Sequence, residues 1–151
     1  MTAKISAWDY SLHLISPNGQ ITAVIDKASE FGQGSPTTGI LKLSNGLTFE
    51  GCNPSAVWSD DSKFLAVPQW TVKNRQRLLV ISIEQASIGY APDIYSVLEL
   101  RSFSRGKIKG IDSPVYKPRE IEIDLSKIQW KGKESETATL WQRLLSFIGF
   151  A

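Results

Sequence analysis

The chain has 151 residues, enough for one domain, and its 42% apolar and 21% charged content is the balance of a soluble globular protein, not of a disordered or fibrous one. Its net charge of +2 is small for a nucleic-acid-binding domain, and no apolar run reaches the roughly 18 residues that a membrane-spanning helix needs. The N-terminus MTAKISAWDY lacks the apolar core of a secretory signal and the single Cys52 has no disulfide partner within the chain, so the expected compartment is the cytoplasm.

From the N-terminus onward, short segments rich in β-branched and aromatic residues alternate with turn chemistry, and each predicts a strand. They are Ser11–Ile15, Ile21–Asp26, Gly39–Ser44, Leu47–Glu50, Ser55–Trp58, Phe64–Val67, Arg77–Ile83, Tyr95–Phe103, Lys107–Asp112 and Arg119–Ile128. Ser16-Pro17-Asn18-Gly19 and Ser44-Asn45-Gly46 are strong turn signals, because Asn-Gly accepts the positive φ of a tight hairpin. In Arg119–Leu125, Ile121, Ile123 and Leu125 alternate with Glu120, Glu122 and Asp124, which predicts one wet face. The expected domain is therefore an antiparallel β unit over 1–133. After it the period changes to about 3.6: in TATLWQRLLSFIGF, Leu140, Trp141, Leu144, Leu145 and Ile148 share one stripe, which predicts an amphipathic helix over 134–151 packed on the sheet.

A repeat runs through the first half. Ser16, Ala23 and Val24 in SPNGQITAV match Ser59, Ala66 and Val67 in SDDSKFLAV, each offset by 43 positions. SFSRGKIKGID followed by REIEIDL keeps the order strand–turn–strand–loop–strand with few identities. A period of 40–45 residues with several short strands per unit is that of propeller blades. SPNGQITAV and SDDSKFLAV resemble the Ser-Pro-Asp-Gly-x-x-Leu-Ala-Val stretch of WD40 and TolB-like β-propellers, which implies a hairpin turn entering a buried strand. The Trp-Asp pair of a WD40 blade end is out of place, since Trp8-Asp9 opens the chain. Three units are too few for a closed propeller, so an open sheet, a sandwich, or closure through self-association into a homo-oligomer are the alternatives. The repeat aligns Asp60-Asp61 with Pro17-Asn18 and so reads the acidic pair as a hairpin tip, not a metal ligand set.

Residues for chemistry are scarce. One His (His13) and one Cys (Cys52) give no zinc spacing, and a nucleophile–base pair could draw only on Cys52 with His13 or on a Ser with His13. Gly32–Gly39, GQGSPTTG, lacks the Lys-Ser/Thr ending of a P-loop and reads as an inter-strand loop. No catalytic residue, metal or cofactor is assigned. Charge is uneven: residues 1–72 hold four Lys/Arg against six Asp/Glu, 73–133 hold twelve against seven, and 134–151 hold one against two. An acidic partner would therefore be sought in the middle segment, where Arg101, Phe103, Arg105, Lys107 and Lys109 surround one turn and Trp70, Lys73 and Arg75 another. These eight are the candidate partner-binding residues.

The expectation is an all-β fold, mainly antiparallel, with propeller-blade-like or sandwich repeats and one C-terminal helix. The expected function is a non-catalytic protein-binding module, in its most concrete form an immunity-type inhibitor of a bacterial toxin or nuclease. The alternative is a nucleic-acid-binding β domain using the basic loops. An enzyme whose site carries no motif is the third class.

Overall fold

A computed structural model of the chain describes residues 5–133, so the helix expected over 134–151 lies outside the described residues. The described chain is all-β with antiparallel pairing throughout. Its strands are β1 Leu12–Ile15, β2 Thr22–Ile25, β3 Ser29–Glu30, β4 Thr37–Leu43, β5 Thr48–Cys52, β6 Val57–Trp58, β7 Phe64–Trp70, β8 Gln76–Ser82, β9 Ser87–Tyr95, β10 Leu98–Ser104, β11 Lys107–Asp112, β12 Arg119–Asp124 and β13 Gln129–Lys133. No helix among the described residues is long and apolar enough to cross a membrane.

Consecutive strands are mostly neighbours. One ten-stranded sheet runs β1-β2-β4-β5-β7-β8-β9-β13, with β3 added to β4 and β6 to β7; β10-β11-β12 form a second sheet. The large sheet has a seam, because β5 meets β7 at the single pair Cys52↔Gln69. Across the seam, Leu12, Ile25, Leu41 and Phe49 of β1–β5 form a core with Leu65, Val67, Leu79 and Ile81 of β7 and β8. The alternate residues of the same two strands, Ala66, Leu78 and Val80, face a second core with Leu98, Leu100, Phe103, Ile108 and Ile123. Hence β7 and β8 are buried on both faces, which is why Leu65-Ala66-Val67 and Leu78-Leu79-Val80-Ile81 are unbroken apolar runs. The seam lets the large sheet supply two layers, β1–β5 and β7–β9 with β13, and the three-stranded sheet is the third layer. β1 and β12 each pair on one side only, and no closed barrel or propeller forms among the described residues.

The repeat is present in atomic detail at its turns. The Asn18 side-chain carbonyl accepts the Ser16 hydroxyl and the Gln20 N–H; at the matching places, the Asp61 carboxylate accepts the Ser59 hydroxyl and the Lys63 N–H. The Ser16 and Ser59 hydroxyl oxygens in turn accept the N–H groups of Ile21 and Phe64. Gly19 (φ 75°) and Ser62 (φ 64°) occupy the same left-handed position. Asp60-Asp61 is the tip of a hairpin. Successive units are tied by Trp58 Nε1 donating to the Leu14 carbonyl (3.0 Å), Asn18 N–H to the Ser62 hydroxyl (2.9 Å) and Asp60 N–H to the Phe103 carbonyl (3.0 Å).

Several strands differ from the sequence expectation: β3 and β13 are additional to it, β4 and β7 run longer, and three further differences have a visible cause. The segment Tyr95–Phe103 is two strands, because Asp112 Oδ1 accepts the N–H groups of both Ser96 and Val97 and holds a bend there. The segment Arg119–Ile128 ends as a strand at Asp124, whose side chain accepts the Ser126 N–H and caps a 3-10 turn over Leu125–Lys127. Ser87–Tyr95 is a full strand despite Gly89 and Pro92. A Cβ at Gly89 would lie 2.5 Å from Ile128 Cγ2 and 2.9 Å from the Gln129 carbonyl, so the glycine is what lets β13 approach.

Candidate protein-interaction surface

The meander sends its connections to two ends of the molecule. The hairpin tips 16–19, 44–46, 59–62, 83–86 and 104–106 lie at one end, joined by bonds such as Ile83 N–H to the Lys63 carbonyl. The opposite end carries the β2–β4 connection, the β7–β8 turn, the β9–β10 bend and the 113–118 loop. β7 spans the distance between them, about 20 Å for seven extended residues.

This geometry divides the eight expected binding residues into two sets. Arg105 sits exposed at the β10–β11 turn, beside the Asp60 hairpin tip. Lys107 pairs with Glu122 (3.7 Å) and Asp124 (3.5 Å), Lys109 with Glu122 (3.6 Å) and Arg101 with Glu99 (2.8 Å). The three-stranded sheet thus neutralises most of its own positive charge, and a hollow of about 590 Å³ on its outer face is lined by Arg101, Lys109, Glu120 and Glu122. Phe103 is only 3% exposed and stacks on Phe64 with centroids 6.0 Å apart, so it is a packing residue, contrary to the surface position expected of it.

Trp70, Lys73 and Arg75 are at the other end. There the β7–β8 turn is closed by Thr71 N–H to the Arg75 carbonyl (2.7 Å) and Asn74 N–H to the Thr71 carbonyl (3.2 Å). Residues 72–75 are exposed, and among the described residues Lys73 and Arg75 have no ion pair. Trp70 is held by a buried polar knot. Its Nε1 donates to the Thr37 carbonyl (3.0 Å), which also accepts Asn53 Nδ2 (2.8 Å), while that same Nδ2 reaches the Ala7 carbonyl (2.8 Å). The ring of Phe31 meets Trp70 edge-on at 4.6 Å.

Sequence reasoning missed the company these residues keep. Nine large apolar side chains are exposed among the described residues, and six of them, Tyr10, Phe31, Val72, Ile94, Val115 and Tyr116, lie at this one end. They come from five separate segments that only the fold brings together. Val72 is 79%, Val115 78% and Tyr116 72% exposed, the three most open of the nine. Tyr10 donates its hydroxyl to Glu30 (3.1 Å), which raises its pKa by stabilising the phenol form.

The two candidates for nucleophilic chemistry are kept apart. Cys52 is buried in the first core, where burial pushes its thiol pKa well up, whereas His13 lies exposed on the opposite face of the β1–β5 sheet. Among the described residues, no three His, Cys, Asp or Glu side chains are grouped to hold a metal. Compared with known proteins, the chain matches no family model, no curated protein sequence and no solved structure.

Proposed function

We propose that this protein is a non-catalytic protein-binding module that meets its partner with the end formed by the β2–β4 connection, the β7–β8 turn and the 113–118 loop. The gathering of six of the nine exposed large apolar side chains there carries the reading. Aromatic and aliphatic groups with Arg nearby are the composition of a protein-contact patch, and loops on a rigid β scaffold are where such contacts are placed. The ion pairing of Lys107 and Lys109 favours this over the nucleic-acid alternative, because a cation already matched by a carboxylate releases fewer counterions from a phosphate backbone. In its narrowest form the reading is an immunity-type inhibitor of a bacterial toxin, acting in the cytoplasm by one-to-one coverage.

The test uses the full chain immobilised in an extract of its source cells. It should retain one protein in equimolar amount, and hydrogen exchange in the complex should slow at 71–75, 113–117 and around Phe31. Val72→Ser with Tyr116→Ser should weaken that complex tenfold or more and leave thermal stability unchanged, since both side chains are solvent-exposed. A footprint on the β10–β12 face, or salt-dependent retention of oligonucleotides in place of a protein, would overturn it.

A further inference from the structure

Resting on that reading, we propose that the hollow beside the Phe31–Trp70 ring contact is the anchor of the contact, and that it takes one bulky apolar side chain from an acidic protein segment. The hollow encloses about 180 Å³ and is lined by Phe31, Thr38, Gly51, Trp70, Val72 and Asn74. That is room for a single large side chain and for little backbone.

Its parts have the division of labour that an anchor site needs. The floor is rigid: Trp70 is 9% exposed and its indole N–H is fixed on the Thr37 carbonyl by the same knot that holds Asn53. A partner's side chain therefore meets a surface that loses no further rotamer freedom. The lip is adaptable, since Phe31 is 50% and Val72 79% exposed. A side chain entering between them would cover both, the burial that makes aromatic pockets hot spots.

The chemistry of the flanks selects the rest of the segment. Lys73 and Arg75, both exposed, are the chain neighbours of Asn74, which itself lines the hollow and at φ 58° is the left-handed residue of the tight turn. Glu30, the carboxylate next to Phe31, accepts the Tyr10 hydroxyl at 3.1 Å. Lys73 and Arg75, two cations without ion pairs among the described residues, outnumber the one carboxylate beside Phe31, Glu30, and are complementary to a bulky residue flanked by Asp or Glu. Two cations are too few to track a phosphate backbone, which takes a run of them.

The experiment is an NMR titration of the ¹⁵N-labelled full chain with the peptide acetyl-Asp-Glu-Phe-Glu-Asp-amide. Shifts should centre on the Trp70 indole N–H and the amides of Gly51 and Asn74. Binding should vanish for the peptide with Ala in place of Phe, and Lys73→Glu with Arg75→Glu should weaken it tenfold or more at low salt. Phe31→Ser, at an exposed position, should weaken it without altering the fold. Equal binding of the peptide with Lys in place of its acidic residues, tighter binding of a thymidine oligonucleotide at Trp70, or absence of shifts there would overturn the proposal. The two readings fail separately. If no peptide binds and a captured protein still protects 71–75 and 113–117, the anchor falls and the binding surface stands. If the peptide binds at Trp70 and the captured protein covers another face, the hollow's preference for an acidic apolar segment stands, and both the binding surface and the hollow's part in that contact fall.

Discussion

Asp61 shows how one carboxylate can look like a site and be a hinge pin. It accepts the Ser59 hydroxyl at 2.6 Å and the Lys63 N–H at 3.0 Å, the bonds that the neutral Asn18 makes one repeat earlier. The Ser59 hydroxyl, foremost, holds its pKa below the usual Asp range, because it bonds best to the charged form. The sign follows directly. A depressed native pKa contributes stability that is complete above the unfolded Asp value, about 3.9, and is lost as pH falls through the lower native value. Asp61→Asn keeps both bonds, as Asn18 shows at the matching place, and should lose at pH 7 only the contribution of the charge. The difference in melting temperature between wild type and variant should shrink as pH drops from 5 to 2. A difference that stays constant with pH would mean the carboxylate charge plays no part. Ser62 is the other telling residue here: it holds the left-handed φ that Gly19 holds in the first unit, and its hydroxyl accepts the Asn18 N–H.

At the scale of the element, what the sequence makes legible is what the chain decides locally. The two equivalent hairpins, Ser16–Val24 and Ser59–Val67, are readable because turn residues bond to their own neighbours. The alternation of Arg119–Asp124 is readable because β12 has one wet face. The bend at 96–97 is not, since Asp112, some sixteen residues away, makes it. Phe103 goes astray for a related reason. It has the sequence parity of exposed Arg101, but the irregularity between Leu100 and Ser102 shifts the register by one and turns Phe103 inward. In the candidate site, Trp70, Lys73 and Arg75 are legible as one local cluster. Phe31, Val115 and Tyr116 are not, because topology alone brings their loops to the same end. The bulge rests on Gly110, where a Cβ would lie 2.6 Å from the Glu99 carbonyl and 3.0 Å from Leu100 Cα. Backbone cannot swing aside, so Gly110→Ala should destabilise the protein by about 1–3 kcal/mol in urea unfolding. Gly32→Ala, with open space around the new methyl, is the control and should move stability by under about 0.5 kcal/mol.

As a whole molecule the chain resembles a short stack of repeats. The outer face of the β1–β5 layer carries exposed His13, Lys42 and Thr48 beside exposed Ile15 and Ile40, and that of the three-stranded sheet carries exposed Lys107, Lys109, Glu120 and Glu122. The face of the three-stranded sheet is thus the polar end that a stack of repeats needs to stand in water without a further unit on that side. Apart from β2–β4 and β5–β7, which each skip one two-residue strand, the pairings join strands adjacent in sequence, save that of β13, which returns past the whole three-stranded sheet to place Gln129 opposite Tyr90. That return has a kinetic meaning. A hairpin closes a loop of a few residues, whereas β13 must close one of more than thirty, and loop entropy delays long closures. In refolding followed by pulsed hydrogen exchange, amides of the β7–β8 hairpin should gain protection first and those along β13 last. The strand acts as a latch that the chain fastens only when the three layers are already stacked, and the same strand should be the first to come loose.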